Sequence, residues 1–210
     1  MKLPVIVIGA GGHAKGLLET LLEQGINVLG FTDAAFPEGK TDFMGVPVLG
    51  TDEIVSNYAP QAVQLVNGVG SVQDISKRKD IFVNFKQLGF NFAEVIHRTA
   101  VVSGWTSLGE GVQLMAGAVV QPGSSVGDNT IINTKTAVDH DCLIGSHVHL
   151  SPGVTLSGGV EVGEGVHIGT GATVIQGIRI GAYAFVAAGA VVVRDVPAGA
   201  RVMGVPAKIR

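Results

Sequence analysis

The chain has few cysteines, few aromatic residues and little charge, and each shortage excludes a class of protein. Its single cysteine, Cys142, excludes an intramolecular disulfide, so nothing in the sequence indicates an oxidising compartment. Aromatic residues make up 5% of the chain and hydrophobic residues 46%, which favours a core of stacked aliphatic side chains. The net charge of −3 gives no basic surface of the kind that binds nucleic acid.

The sequence also lacks an apolar run long enough to cross a bilayer. It opens with a strand pattern, and we find no basic segment followed by a signal peptide. We therefore expect no membrane insertion and a cytoplasmic location.

A strict period of six residues occupies the second half of the chain. From Ile96 to Val192, every sixth residue is Ile, Leu or Val, over seventeen consecutive positions. Four places after each of them stands another small or aliphatic residue. Such a period is typical of a solenoid, in which each repeat buries its apolar side by stacking on the next. Helices repeat every 3.6 residues and strands every two, so neither explains it.

A second period, of eighteen residues, lies on top of the first. The glycines that mark it each follow an aliphatic position, and they are Gly109, Gly127, Gly145, Gly163 and Gly181. Three hexapeptides therefore make one coil, which predicts a triangular prism of short parallel strands with the aliphatic residues pointing inward. At the strand spacing of ~4.8 Å, five to six coils give a prism roughly 27 Å tall.

The first 95 residues alternate strand and helix patterns. We predict strands over residues 3–8, 28–32 and 61–66, and helices over residues 15–24 and 71–88. This alternation predicts a small α/β domain with a parallel sheet over residues 1–95, followed by the prism over residues 96–210.

A glycine loop joins the first strand to the first helix. Gly9, Gly11 and Ala14 match the pattern G-x-G-x-x-G/A, and Asp33 ends the next strand about twenty residues on. Such a loop presents backbone N–H groups and a helix N-terminus to phosphate. The domain has room for about half of a dinucleotide fold, which favours a mononucleotide or nucleotide sugar over NAD. A tight turn without a ligand is the remaining interpretation.

His140 is the best candidate for a catalytic base. It lies at a corner position between the inward-pointing Val138 and Cys142, so its side chain should point out of the prism. Imidazole titrates near neutral pH, and the neighbouring Asp141 or Asp139 can fix its tautomer. Cys142 itself should be buried and should not act as a nucleophile.

His147, His149 and His167 are the other prism histidines in the neighbouring coils. His149 and His167 are eighteen residues apart and should stack on successive coils. No third ligand is expected on the same face, so we predict no metal site.

The hexapeptide region resembles the left-handed parallel β-helix of hexapeptide-repeat acyltransferases. The handedness follows from this resemblance, because the general crossover rule predicts the opposite hand. The loop Gly-Ala-Gly-Gly-His at residues 9–13 and the ending Gly-Val-Pro-Ala-Lys at residues 204–208 make the whole chain similar to one subfamily. These are the bacterial sugar acetyltransferases that modify UDP-4-amino sugars, GDP-perosamine or sialic acid. The expected fold is an α/β, half-Rossmann-like nucleotide-binding domain followed by a left-handed β-helix.

The resemblance also implies roles for residues of the first domain. Gly11, Gly12 and His13 would contact the nucleotide. Asp33 would meet the uracil or ribose, and Gly68 would line the pocket. The pyrophosphate would then lie near the loop.

In the prism, the resemblance makes His140 the base and Asp141 the acidic residue that raises its basicity, where the family has Glu. His149 would meet the acetyl group of acetyl-CoA, and the Gly158 amide would bond the thioester oxygen. Along the same face, backbone groups of Thr170 and Ala188 would hold the pantetheine arm.

The predicted activity is direct acetyl transfer from acetyl-CoA, as co-substrate, to the amine of a nucleotide-linked sugar, with a UDP-4-amino-deoxysugar favoured. O-acetylation of a sialic-acid-type sugar and a non-catalytic nucleotide-sugar-binding role are the alternatives. The resemblance further implies a homotrimer, and we expect apolar outward residues such as Ile131, Ile175 and Val193 to contribute to its contacts.

Overall fold

The computed structural model describes residues 3–35, 41–71 and 75–210. The chain divides into two compact units, Met1–Val95 and Ile96–Arg210. Each unit is described below by itself.

The first unit is an α/β domain built on a six-stranded sheet. Its elements in chain order are β1 (Val5–Ile8), α1 (Gly12–Glu23), β2 (Val28–Thr32), β3 (Asp42–Phe43), β4 (Val46–Gly50), a 3₁₀ helix (Asp52–Asn57), β5 (Gln64–Asn67), α2 (Ser76–Gln87) and β6 (Asn91–Phe92). The strand order is β3-β4-β2-β1-β5-β6. All neighbours pair in parallel except β3 and β4, which form an antiparallel hairpin.

The carboxyl ends of β1 and β5 lie side by side at the point where the strand order reverses. From β1 the chain moves outward to β2 and β4, and from β5 it moves the other way to β6. Ligands of open parallel sheets bind at such a crevice. The loops that follow β1 and β5 are therefore the natural ligand-binding edge of this unit.

Several element boundaries differ from the prediction. Helix α1 begins at Gly12, three residues before the expected start, because Gly12, His13 and Ala14 of the loop already belong to the helix, with Gly11 as its extended N-cap. Helix α2 begins at Ser76 and not at residue 71, and the expected capping residue Asp74 lies outside the described residues. Residues 46–48 were expected to be short and extended, and they belong to β4; the two-residue β3 and its antiparallel pairing with β4 were not predicted.

The second unit consists mainly of two-residue parallel strands arranged in three sheets, which we call the first, second and third faces. The first face contains Val95–Ile96, Gln113–Leu114, Ile131–Ile132, His149–Leu150, His167–Ile168, Phe185–Val186, Arg201–Met203 and the antiparallel Lys208–Ile209. The second face contains Val101–Val102, Val119–Val120, Ala137–Val138, Thr155–Leu156, Thr173–Val174 and Val191–Val192. The third face contains Ser107–Leu108, Ser125–Val126, Leu143–Ile144, Glu161–Val162 and Arg179–Ile180.

The register of these strands follows the eighteen-residue period. On the first face, for example, Ile132 pairs with Leu150 and Leu150 with Ile168. All three side chains are fully buried, as predicted for the aliphatic position of each hexapeptide. The core is therefore a continuous aliphatic column along the prism, and the predicted fold class is confirmed.

The repeated glycines follow from the close approach of successive coils. A Cβ on Gly145 would lie 2.8 Å from the backbone N of Glu164, in the coil above. A Cβ on Gly163 would lie 2.5 Å from the N of Ala182, one coil further. Any side chain at this corner would push the coils apart, so the period of eighteen is a packing requirement.

No helix within the described residues is long and apolar enough to span a membrane.

Candidate active site

His140 and Asp141 lie at the corner between the second and third faces, which we call the His140 corner. Asp141 has φ 59°, so the chain turns there in the left-handed region. Its N–H donates to the Pro122 carbonyl at 3.1 Å, and the Gly159 N–H donates to the His140 carbonyl at 2.9 Å. These bonds tie the corner to the coils below and above, so the backbone under the two side chains is held on both sides.

The His140 imidazole is hydrogen-bonded to the Asp141 carboxylate. Nδ1 of His140 lies 2.8 Å from Oδ2 of Asp141, and both side chains are exposed. The hydrogen bond with Asp141 raises the pKa of His140 above its ordinary value, and the negative charge of Asp139 adds to this effect. Because Nδ1 donates to the carboxylate, the lone pair of the neutral ring lies on Nε2, where it can accept a proton.

Gly158 provides the space in which the imidazole lies. A Cβ on Gly158 would come within 2.6 Å of both Cε1 and Nε2 of His140. The ring therefore rests against the Gly158 backbone, one coil above its own Cα. Only a glycine at residue 158 leaves room for the ring. The structure therefore places Gly158 beside His140, as the spacing of eighteen residues predicts.

Cys142 points into the prism and is fully buried. Its thiol donates a hydrogen bond to the Ser157 carbonyl at 3.3 Å. Burial raises the pKa of the thiol, which disfavours the nucleophilic thiolate. The His140 ring thus lies outside the prism, and the Cys142 thiol lies inside it.

His149 and His167 stack on successive coils of the first face, as their spacing predicts. Their ring centroids are 5.1 Å apart with nearly perpendicular planes, and both side chains are buried. His149 Nε2 lies 3.1 Å from the Asn133 amide nitrogen, and His167 Nε2 lies 3.3 Å from the Ser151 hydroxyl. Burial lowers the pKa of His167, which favours the neutral ring. The described residues contain no cluster of His, Cys, Asp or Glu that could hold a metal ion.

Thr170 and Ala188 do not lie on the face expected for them. The Gly189 N–H donates to the Thr170 carbonyl, so the two residues occupy one corner in successive coils. This corner, which we call the Thr170 corner, joins the first and second faces. His140 and Gly158 lie at the other end of the second face, so the expected single line of residues is wrong. The reason is arithmetical, because Thr170 is twelve residues beyond Gly158 and twelve residues are two thirds of a coil.

The glycine loop connects β1 to α1 and is anchored to the neighbouring strands. Gly9 has φ 90°, and its N–H donates to the Thr32 carbonyl at 2.6 Å. Gly11 is the N-cap of α1, and no side chain caps the helix there. No heavy atom lies within 4 Å of a Cβ built on Gly11 or Gly12. The side-chain directions of Gly11 and Gly12 therefore point into open space, which leaves room for a ligand at the start of α1.

Asp33 is at the carboxyl end of β2, beside the loop. Its Oδ2 accepts the Ala10 N–H at 2.9 Å, and its Oδ1 accepts the Ala35 N–H at 2.9 Å. The carboxylate thus holds the glycine loop to the end of β2. An ionised carboxylate offers about four acceptor positions, so a ligand hydrogen bond remains compatible with this arrangement.

Gly68 follows β5 and packs against the end of β1. A Cβ there would lie 2.8 Å from the carbonyl oxygens of both Ile8 and Gly9. The Gly68 N–H donates to the Ile8 carbonyl at 2.8 Å. This close approach gives a packing reason for the glycine, independent of any role in lining a pocket.

Arg78 supports the loop after β5, and the sequence analysis missed it. The side chain is buried in α2, and Nη1 donates to the carbonyls of Asn67 at 2.9 Å and Val69 at 2.7 Å. Burial lowers the pKa of this arginine to about 9. Arg78, Phe82 and Phe85 share the buried face of α2. An arginine in line with two phenylalanines was the sequence signal that could have identified a buried arginine.

Comparisons with known protein families match both units. Residues 4–85 match the family described as the PglD N-terminal domain. Residues 141–176 match the family described as bacterial transferase hexapeptide (six repeats). A comparison with curated proteins found no match.

Solved structures match the whole chain. A mutant of perosamine N-acetyltransferase from Caulobacter crescentus, in complex with CoA and GDP-perosamine, is 41% identical, with 99% of this chain and 96% of that chain covered and a TM-score of 0.91. The acetyltransferase domain of PglB from Neisseria gonorrhoeae FA1090, in complex with acetyl coenzyme A, is 38% identical, with 99% and 98% covered and a TM-score of 0.91. WeeI from Acinetobacter baumannii AYE is 26% identical, with both chains fully covered and a TM-score of 0.89.

Proposed function

The chain belongs to the hexapeptide-repeat sugar acetyltransferases, and on this basis we propose that it transfers the acetyl group of acetyl-CoA to the amine of a nucleotide-linked amino sugar. The observation that carries the proposal is the His140–Asp141 pair over Gly158, an exposed base of fixed tautomer on a hexapeptide prism. The similar protein from Caulobacter crescentus binds CoA and GDP-perosamine, which agrees with this reaction.

In the proposed mechanism His140 moves one proton. The sugar amine attacks the thioester carbonyl carbon while Nε2 of His140 accepts its proton. The C–N bond forms, the C–S bond then breaks, and the imidazolium returns the proton to the leaving thiolate of CoA. Asp141 accepts the Nδ1–H throughout and stabilises the transient imidazolium. The Gly158 amide, next to the ring, is the proposed donor to the developing oxyanion.

No covalent acyl-enzyme intermediate is part of this mechanism. Cys142, the nearest nucleophile along the chain, is buried with its thiol bonded to Ser157. The proposed transfer is therefore direct and passes through one tetrahedral intermediate.

We propose that His149, Thr170 and Ala188 bind acetyl-CoA, as the family resemblance implies. His149 would meet the acetyl group, and backbone groups of the Thr170 corner would hold the pantetheine arm. On one prism this corner is separated from His140 by the full width of the second face. A second copy of the chain that places its Thr170 corner beside the His140 corner would bring the two sets together.

This requirement supports the proposed homotrimer, and the second face is the best candidate for the contact. Its outward residues are uncharged and mostly apolar, and they are Val101, Val119, Ala137, Thr155, Thr173 and Val191. The third face, by contrast, carries the exposed ion pair between Glu161 and Arg179. Ile131, which we expected to contribute, is fully buried within the chain and is removed from the list. A sedimentation mass of one chain at micromolar concentration would contradict the trimer.

The first unit is proposed to bind the nucleotide at the glycine loop, with Gly11, Gly12 and His13 near the pyrophosphate. Asp33 shapes the same edge through its bond to the loop, and Gly68 through its bond to the end of β1. The sequence favoured a UDP-sugar, whereas the relative of 41% identity holds GDP-perosamine. Both nucleotides therefore belong in the test. We also propose a cytoplasmic location, because nucleotide sugars and acetyl-CoA are cytoplasmic substrates.

The test is a coenzyme A release assay with a panel of acceptors. The panel contains UDP- and GDP-linked 4-amino-deoxysugars, the matching hydroxyl sugars and a sialic acid. Release with the amino sugars alone supports N-acetylation. Release with hydroxyl acceptors favours O-acetylation, and binding of nucleotide sugars without any release would indicate a non-catalytic binding protein.

A further inference from the structure

Trp105 is the most exposed large apolar side chain among the described residues, and no step of the mechanism above uses it. It is the only tryptophan of the chain, and its side chain is 84% exposed. Tryptophan is large and is normally well buried in a folded protein. An indole left in solvent is therefore available for contact with a ligand.

The backbone beneath Trp105 is fixed although its side chain is free. The Trp105 N–H donates to the Ser103 hydroxyl at 3.1 Å, and the Trp105 carbonyl accepts the Gly123 N–H at 3.2 Å. These bonds hold the residue in the regular stack of coils. The indole is thus presented from a rigid support, which lowers the entropy cost of binding a ligand against it.

Trp105 lies at the same corner of the prism as the proposed base. It precedes Asp141 by 36 residues, which is two coils, so the two positions are about 10 Å apart along the prism axis. Gly123 lies between them in the same column, bonded to Trp105 as described above. The indole and the imidazole therefore project from one edge of the prism.

Two glycines, Gly104 and Gly123, lie at this corner close to Trp105. A Cβ on Gly123 would collide with Oδ1 of Asp141, so the carboxylate that holds His140 lies over this glycine. No heavy atom lies within 4 Å of a Cβ built on Gly104. The exposed side chains of the intervening coil at this corner are those of Gln121 and Pro122. A ligand that extends from His140 along this corner therefore passes Gln121 and Pro122 before it reaches Trp105.

We infer that Trp105 is a specificity-determining residue that contacts the apolar face of the acceptor sugar. One face of a pyranose exposes C–H groups, and a deoxysugar adds a methyl group in place of a hydroxyl. Such polarised C–H groups pack well on the electron-rich face of an indole. This inference rests on the proposed function, since it assigns a binding surface for the same acceptor.

The single tryptophan makes the inference directly testable by intrinsic fluorescence of the unmodified protein. Titration with a UDP- or GDP-linked 4-amino-deoxysugar should shift the emission maximum to shorter wavelength, because the sugar removes water from the indole. The free nucleoside diphosphate and acetyl-CoA should leave the emission unchanged. An equal shift with the free nucleotide would mean that the indole stacks on the base, and it would overturn the assignment to the sugar.

Steady-state kinetics provide the second measurement. Trp105→Ala should raise the KM for the nucleotide sugar roughly tenfold, with the KM for acetyl-CoA unchanged. Trp105→Phe should restore much of the loss, because it keeps an aromatic face. Tyr183→Ala is the matched control, since Tyr183 is also an exposed aromatic residue but lies at a different corner.

Besides the fluorescence result above, three outcomes with the variants would overturn the inference. One is an unchanged KM for the nucleotide sugar in Trp105→Ala, and another is an equal rise in Tyr183→Ala. The third is a changed sedimentation mass for Trp105→Ala, which would make the indole a contact between copies of the chain. Failure of the wild-type protein to release CoA with any acceptor would instead contradict the proposed function.

Discussion

The hydrogen bond between His140 and Asp141 should set the pH dependence of acetyl transfer. His140 acts as a base only when its ring is neutral, so the rate should rise with pH through the pKa of this residue. Asp141 raises that pKa through its hydrogen bond, and Asp139 raises it further by its charge. Asp141→Asn should therefore move the acid limb of the rate profile to lower pH.

The size of the effect follows from the exposure of the pair. Both side chains are more than half exposed, at 62% and 71%, so solvent and salt screen their interaction. The shift of the acid limb should be modest and should shrink as ionic strength rises. The loss of the acceptor that orients the ring should lower kcat by roughly 10- to 100-fold. Removal of the base itself, in His140→Ala, should lower kcat by roughly 10²–10⁴.

The assay is the initial rate of CoA release between about pH 5 and pH 9, the range that brackets the titration of histidine. Both substrates are saturating, so the profile reports kcat. Asp139→Asn is the control, because it removes a nearby charge and keeps the hydrogen bond to the ring. Its acid limb should move less than that of Asp141→Asn. An acid limb that stays in place in Asp141→Asn, or full activity in His140→Ala, would refute the assignment of the base.

Three further predictions address the neighbouring residues and the glycine loop. Gly158→Ala should lower kcat by at least tenfold, because the added Cβ would come within 2.6 Å of the His140 ring and displace it. The prism should stay folded, and a wild-type kcat would contradict the packing described here. Cys142→Ala should keep most activity, and a folded but inactive variant would require an acyl-enzyme mechanism. Gly11→Val should raise the KM for the nucleotide sugar and leave the KM for acetyl-CoA almost unchanged, since the position borders open space and tolerates a side chain. Equal damage to both KM values would mean that the loop is only a structural turn.

Much of the prism could be predicted from the sequence because its contacts repeat along the chain. Each coil packs on the next at a fixed separation of eighteen residues, so one rule fixes every strand and every inward residue. The direction of the His140 and Cys142 side chains followed from the same rule. The repeated glycines could be found from the sequence alone. The structure supplied the reason for them, which is the close approach of the backbone of the next coil, such as that of Glu164 to Gly145.

The α/β unit was predicted less completely because its contacts do not repeat. Helix α1 starts within the glycine loop, where the composition alone suggested a turn. Asp33 was predicted to contact the ligand. In the structure its carboxylate accepts hydrogen bonds from the backbone N–H groups of Ala10 and Ala35. Arg78, eleven residues after Asn67, holds the loop that follows β5; its place on the apolar face of α2 indicates burial, but it does not identify the carbonyls that the side chain binds.

The sequence by itself determined the three-sided prism, the outward base with its carboxylate, and the glycine loop at the end of the first strand. The eighteen-residue period also fixes the corner of each residue, so the position of Thr170 and Ala188 across the second face from His140 was available from the spacing. Only the tertiary structure decided which outward side chains meet: it placed the His140 ring against Gly158, and it left the Trp105 side chain exposed. The physical reason is that the local period fixes whether a side chain points inward or outward. Which outward side chains meet depends on the winding of the whole coil and on the contacts between distant parts of the chain.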